Sequence, residues 1–326
     1  MSDALPVIDI ARLLAGEDDT ETIAAIDRAA SSTGFFYLAG HGIPLSMFDE
    51  VEAVARRFFA LPEAEKAAIA MEHGGRAWRG WFPLGGELTS GRPDGKEGLY
   101  LGEELDQSDP RVAAGIPLHG ANLWPAALPE LRDLVERWLA GVTRAAHALT
   151  RGASLALGLP GDAIARRYTA QPTLLFRLFR YPPGWTEGDG VGEHTDYGLL
   201  TLLAQDRHGG LQVRVGENWL DVPPREGLLI VNIGDMLDKL TGGRWRSTPH
   251  RVINSAMHER ISWPLFFDPA FDAAIEPLVA ADPQTVRDVR RWDGIDPGQF
   301  TGTYGDYLLR KVGAVFPQLA RAELDP

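Results

Sequence analysis

From residue 174 onward the sequence breaks into short apolar runs divided by turn residues, and this spacing restricts the fold more than any other feature of the chain. Runs at 174–181, 199–204, 211–215, 219–222, 228–233, 250–254 and 260–267 are rich in Leu, Val, Ile and Phe. Between them stand Pro182-Pro183-Gly184, His208-Gly209-Gly210 and Pro223-Pro224. Glycine and proline at such points start turns and interrupt strand pairing. Many short strands at near-regular spacing predict an all-β sandwich or barrel over this part of the chain.

Upstream the periodicity is helical. Residues 20–31 place Ile23, Ile26 and Ala30 on one face. Helices are also expected at 45–60, 62–71 and 161–168. A long one at 129–157 carries Leu131, Leu134, Val135, Trp138, Leu139 and Val142 at helical spacing. Short strands are expected at 7–10 and 34–38. Residues 74–102 hold Trp78, Trp81, Phe82 and Tyr100 among many glycines without a clear period, which predicts a long aromatic loop. A last helix is expected at 303–312. The chain thus divides into an N-terminal helical region (1–165), a β-rich core (166–275) and a helical tail (276–326). These are not independent domains, because the helices need the outer face of the sheet to bury their apolar stripes.

Charge and cysteine content exclude several functions. The formal net charge of -13 argues against a nucleic-acid partner, since phosphate binding needs clustered Lys and Arg. The chain has no cysteine, so disulfides, zinc-thiolate sites, cysteine-ligated clusters and cysteine nucleophiles are ruled out. No signal peptide is read in Met1-Ser2-Asp3-Ala4-Leu5-Pro6, and no apolar run reaches membrane-spanning length. A cytoplasmic protein without a membrane partner is expected. Oligomeric state is not legible, and a monomer is compatible with the sequence.

Against this background the triplet His194-Thr195-Asp196 stands out, with His250 following 54 positions after Asp196. On a strand, His194 and Asp196 point to one side and Thr195 to the other. Two imidazoles and one carboxylate form the ligand set of non-haem Fe(II) oxygenases, which leaves the other face of the metal open. Alone, the triplet is a weak signal. Its company strengthens it, because Arg260-Ile261-Ser262 puts an arginine fork and a hydroxyl on one strand face, a good receptor for a carboxylate.

Further stretches carry a resemblance. Leu5-Pro6-Val7-Ile8-Asp9, Gly34-Phe35-Phe36-Tyr37, His41-Gly42-Ile43-Pro44, Asp94-Gly95-Lys96-Glu97 and Arg180-Tyr181-Pro182-Pro183 occur in that order. They are followed by Gly192 to Leu203, Gly209-Gly210-Leu211-Gln212-Val213, Asn232-Ile233-Gly234-Asp235 and His250-Arg251-Val252. Taken together with Arg260-Ile261-Ser262, the chain resembles the isopenicillin N synthase-like branch of the Fe(II)/2-oxoglutarate-dependent dioxygenases over nearly its whole length. The resemblance implies an α+β fold, a double-stranded β-helix (a jelly-roll, cupin-like barrel) with an N-terminal helical region and a C-terminal helix. It implies that His194, Asp196 and His250 are the catalytic iron ligands. Arg260, Ser262 and Tyr181 would bind the distal carboxylate of the co-substrate 2-oxoglutarate. In that family 2-oxoglutarate and O₂ are consumed to give succinate and CO₂ while a small molecule is hydroxylated, desaturated or cyclised. One departure is Phe179, where many plant members have Asn.

Two other readings compete. An isopenicillin N synthase-type oxidase would use Fe(II) and O₂ without 2-oxoglutarate, the Arg-Ser pair holding the substrate's own carboxylate. A non-catalytic barrel would bind a small molecule and have no need of the full ligand set. The prime substrate is not legible. Its contacts are expected from Trp78 to Leu88, from the tail near Phe300 and Tyr307, and near Phe267. Structural roles are expected for His41 and His147, solvated ones for His73, His119, His208 and His258. Turn or supporting roles fit Asp206, Asp235 and Arg251.

Overall fold

The computed structural model describes residues 5–280 and 293–324. The N-terminal part runs β1 (Val7–Asp9), α1 (Ala11–Leu14), α2 (Thr20–Ser32), β2 (Phe35–Ala39), α3 (Leu45–Phe59), α4 (Glu63–Ala67), β3 (Gly80–Phe82), β4 (Glu97–Gly102), α5 (Pro110–Ala113), α6 (Glu130–Ala156) and α7 (Ala163–Arg167). The core follows with β5 (Thr173–Tyr181), β6 (Val191–His194), β7 (Leu200–Gln205), β8 (Leu211–Val215), β9 (Asn218–Asp221), β10 (Leu229–Ile233), α8 (Asp235–Leu240), β11 (His250–Val252) and β12 (Arg260–Asp268). The tail holds α9 (Tyr304–Val315) and α10 (Pro317–Glu323). Part of the expected tail, 281–292, lies outside the described residues.

Two sheets face each other as a jelly-roll. The larger has the order β1-β2-β10-β7-β12-β5-β4-β3, and the smaller β6-β11-β8-β9. The inner face of the large sheet is read from the period-two alternation of its strands. On β12, Arg260, Ser262, Pro264, Phe266 and Asp268 face the interior cavity, and on β5 so do Leu175, Arg177, Phe179 and Tyr181. The odd-numbered residues of β12 face the helices instead. Trp263 meets Trp138 of α6 with ring centroids 6.1 Å apart, and Phe267 meets His147 at 4.9 Å. Covered on both faces, β5 and β12 read as nearly continuous apolar runs.

Two expectations are corrected. Residues 74–102 are not simply a loop, since β3 and β4 extend the large sheet beyond β5. Every residue of β4 is buried, which erases the alternation that would have revealed a strand. The strands expected at 7–10 and 34–38 are present as β1 and β2, and they join the same large sheet. The helix expected at 62–71 ends at Ala67, and Ala70 then bridges to Trp81.

Candidate active site

His194 and His250 meet because their strands pair. His250 on β11 is the register partner of His194 on β6 in an antiparallel ladder, which brings side chains of facing residues close. Their ring centroids are 4.2 Å apart. Asp196 arrives differently from the expected shared strand face. β6 ends at His194, and Asp196 sits in the turn that leads to β7.

That turn is held tightly. The Asp235 and Met236 amides at the start of α8 donate to the carbonyls of Asp196 and Gly198 at 2.8 and 3.0 Å. The Thr195 hydroxyl points away from the two rings and donates to Asp235 at 3.3 Å. Gly198 is required here by close approach, for a Cβ would lie 1.4 Å from Oδ1 of Asp268. The turn thus replaces a second strand position in aiming Asp196 at the imidazoles.

One donor atom from each of His194, Asp196 and His250 lies within 4.8 Å of the others. Nε2 of His194 and Nε2 of His250 stand 3.8 and 3.7 Å from Oδ1 of Asp196. The Nδ1 sides face backbone carbonyls, Gly192 at 2.8 Å for His194 and Thr248 at 3.2 Å for His250. An Nδ1–H donated to a carbonyl leaves the Nε2 lone pair free, which is the tautomer a metal needs. Oδ2 of Asp196 accepts from Thr201 at 2.5 Å and Asn232 at 2.7 Å, leaving Oδ1 facing the imidazoles. Burial, then the neighbouring His250, lower the His194 pKa, so the ring stays neutral. Burial alone would raise the Asp196 pKa, but the two imidazoles and the Thr201 and Asn232 donors hold it below the ordinary carboxylate value. Neutral imidazoles and an ionised carboxylate suit a divalent cation, so the donor set fits Fe(II).

Arg260, Ser262 and Tyr181 line the same cavity as the triad. The Arg260 guanidinium is buried, donating from Nη2 to Gln205 at 2.9 Å and from Nη1 to Ser262 at 3.2 Å. It lies over the Tyr181 ring, 4.6 Å from the centroid. Its Nε has no hydrogen-bond partner, and no carboxylate lies within 4 Å of it among the described residues. A buried charge in this state is costly unless an anion meets it. The arrangement therefore fits a carboxylate-bearing co-substrate.

Sequence reasoning missed Gln205, which orients Arg260, and assigned no role to Thr201 or Asn232, which orient Asp196. Only the strand register brings them in. Ser262 pairs with Gln205 across β12 and β7, and Asn232 with Thr201 across β10 and β7. The segments expected to meet substrate reach the cavity only in part. Of residues 78–88 Glu87 lines the cavity, joined by Thr89 just beyond them, whereas Trp78 is fully buried and, like Phe300, Tyr307 and Phe267, lies off its walls. The tail instead contributes Leu308, Val312, Val315 and Phe316, and Phe266 takes the place of Phe267. His41 proves buried, its Nε2 facing the Gly227 carbonyl at 2.9 Å. His119 is also buried rather than solvated.

Residues 5–127 match the family model for the non-haem dioxygenase in morphine synthesis N-terminal region, and residues 171–269 that of the 2OG-Fe(II) oxygenase superfamily. The chain is 42% identical to a Dictyostelium discoideum protein named "probable iron/ascorbate oxidoreductase", over 97% of this chain and 95% of that one. It is 37% identical to homoarginine-6-hydroxylase 2-ODD-C23 of Glycine max, over 97% and 98%. Among solved structures, a full-length Neurospora crassa protein in complex with alpha-KG and thymine superposes with a TM-score of 0.76 at 27% identity, covering 95% of this chain and 96% of that one. JOX2 in complex with 2OG, Fe and JA gives 0.75 at 25% identity, covering 99% and 90%. These solved relatives hold small molecules. No helix among the described residues is long and apolar enough to cross a membrane.

Proposed function

Because this chain belongs to the 2OG-Fe(II) oxygenase superfamily, and so is a non-haem Fe(II)- and 2-oxoglutarate-dependent dioxygenase, we propose that His194, Asp196 and His250 ligate the iron and that Arg260, Ser262 and Tyr181 receive the distal carboxylate of 2-oxoglutarate. The observation that carries this reading is the presence, in one cavity, of three converging donor atoms and a buried guanidinium without a carboxylate partner among the described residues. The substrate is a small molecule, as in the solved relatives.

Bound at the triad, Fe(II) supplies the redox chemistry that couples decarboxylation of 2-oxoglutarate to oxidation of the substrate by O₂. The chain's own work is positioning. The Gly192 and Thr248 carbonyls fix the tautomers of the two imidazoles, and Thr201 and Asn232 hold Asp196 so that a single oxygen faces the metal. Arg260, squared by Gln205 and Ser262, presents a planar fork to the distal carboxylate and sets which end of the co-substrate reaches the iron. Phe35, Leu211 and Val252 wall the metal side with apolar surface.

Adding 2-oxoglutarate to the Fe(II) protein under nitrogen should produce a visible charge-transfer band, and admitting air should yield succinate. His194→Ala is expected to lose both the band and turnover. A His194→Ala protein with wild-type iron-dependent turnover would refute the ligand assignment.

A further inference from the structure

A second buried guanidinium lines the cavity. Arg177 stands on the inner face of β5 between Leu175 and Phe179. It is four residues from Tyr181, or about 13 Å of strand, and so well separated from the Arg260 end. Its Nη1 donates to the Leu101 and Phe176 carbonyls, both at 3.0 Å, and its guanidinium lies 3.5 Å over the Tyr100 ring. These contacts orient the fork but leave its charge without a counter-ion, for no carboxylate lies within 4 Å of it among the described residues. Burial works against that charge and lowers the Arg177 pKa, with Tyr100 and then Glu87 acting in the opposite sense.

The nearby acids are engaged elsewhere. Glu87 accepts from the Tyr100 hydroxyl at 2.5 Å and pairs with Lys96 at 2.8 Å. Asp94 takes Lys96 and the Thr89 hydroxyl, and Asp268 takes the Tyr304 hydroxyl. Oδ1 of Asp268 has no hydrogen-bond partner, but neither it nor any other carboxylate comes within 4 Å of Arg177 among the described residues. One same-face position along the sheet, Leu175, Phe266 and Thr201 stand side by side across β5, β12 and β7, and Thr201 touches Asp196. Arg177 and Thr201 are therefore about 12 Å apart in the sheet, from the spacing along and across strands. Leu175, Leu203, Pro264 and Phe266 make the inner face of the sheet there apolar, and Leu308 and Val312 of α9 line the same cavity.

We propose that Arg177 is a specificity-determining residue that receives a carboxylate of the prime substrate, so that this enzyme acts on small carboxylic acids with a compact apolar body. The fork matches both oxygens of a carboxylate, and the Nε–Nη2 edge is not spent on backbone carbonyls. An acid held there extends its hydrocarbon part past Phe266 toward the triad. The inference rests on Arg260, not Arg177, being the 2-oxoglutarate receptor.

The test uses matched probes that differ only in charge: phenylacetic acid with phenylacetamide, cyclohexylacetic acid with its amide, and hexanoic acid with hexanamide. Each is titrated into the Fe(II)- and 2-oxoglutarate-loaded protein under nitrogen, and binding is followed by the change it causes in the visible band. At least one acid is expected to bind 10-fold or more tightly than its amide. In Arg177→Gln that preference should fall to within two-fold, and Arg177→Lys, which keeps the charge without the fork, should be intermediate. Equal binding of acids and amides, no binding by any acid, or a preference that survives in Arg177→Gln overturns the proposal. If circular dichroism shows that neither variant folds, the wild-type ratio of acid to amide decides alone. The 2-oxoglutarate band of the wild type reports separately on the underlying site. Its absence defeats the Arg260 reading, whereas a normal band without acid preference defeats only the Arg177 one.

Discussion

Replacing Arg260 with Met should separate two energies that the wild-type protein combines. In the ligand-free state the guanidinium is buried with one nitrogen unpartnered and no carboxylate within 4 Å among the described residues. Met fills similar space with no charge to desolvate, so the ligand-free variant is expected to keep its stability or gain about 1 kcal/mol. With 2-oxoglutarate bound, the same change strands a buried carboxylate and should cost about 2–5 kcal/mol, a weakening of roughly 30- to 5,000-fold in Kd. Thermal melts with Mn(II) in place of iron read both effects. At 2-oxoglutarate concentrations 100 times the wild-type Kd, the ligand stabilises the wild type by about 2.7 kcal/mol, and a 30-fold weaker variant by about 0.9 kcal/mol. At roughly 2 °C per kcal/mol for a chain of this size, the ligand-induced rise in Tm should fall from about 5 °C to under about 2 °C. An Arg260→Met protein with the full rise would refute the assignment. One whose ligand-free form lost more than about 3 kcal/mol would show that Arg260 is there to hold the barrel together.

Three further outcomes follow from the geometry. Asn232→Ala removes one of the two donors on Oδ2 of Asp196, and a Mn(II) titration should show affinity lowered by about 10- to 100-fold; unchanged affinity would mean the bond has no part in metal binding. Gly198→Ala forces a methyl group onto Asp268 and should cost about 1–3 kcal/mol in urea melts with weaker metal binding, since the same turn carries Asp196; a silent substitution would show the turn can yield. Burial lowers the pKa of His41, His119 and His147, so below pH 6.5 the unfolded chain takes up protons that the native protein does not. Stability should therefore decline as pH falls from 6.5, with a shallower slope in His41→Gln; a flat profile between pH 7 and 5 would contradict this.

How much was legible beforehand depended on whether a residue's surroundings were local. The strands from β5 to β12, β6 excepted, announced themselves through apolar runs and turn residues, and Arg260 with Ser262 could be placed on one face by parity alone. β6 could not be found, because its four residues include Gly192 and Glu193 and all but Val191 are only half-buried. Asp196 was assigned to the right place for the wrong local reason, since the close packing of Gly198 and the first amides of α8, not strand parity, aim it. α8 is six residues long, too short for a helical period to emerge. Gln205, Asn232 and Thr201 owe their roles to cross-strand register, which one sequence does not encode in any local pattern. Trp78 packs in the core with its side chain fully enclosed, as an aromatic in a glycine-rich stretch more often does than line a site.

The cavity has a floor and a roof of different origin. The floor is the inner face of the large sheet, where each strand is hydrogen-bonded to its neighbours. Opposite it stand the small sheet and an amphipathic helix, α9, which offers Leu308, Val312 and Val315. Helix faces can be rewritten one turn at a time without breaking a ladder. A laboratory seeking a different hydrocarbon body in the substrate should therefore randomise those three positions first and leave Arg177 and the rest of the barrel in place.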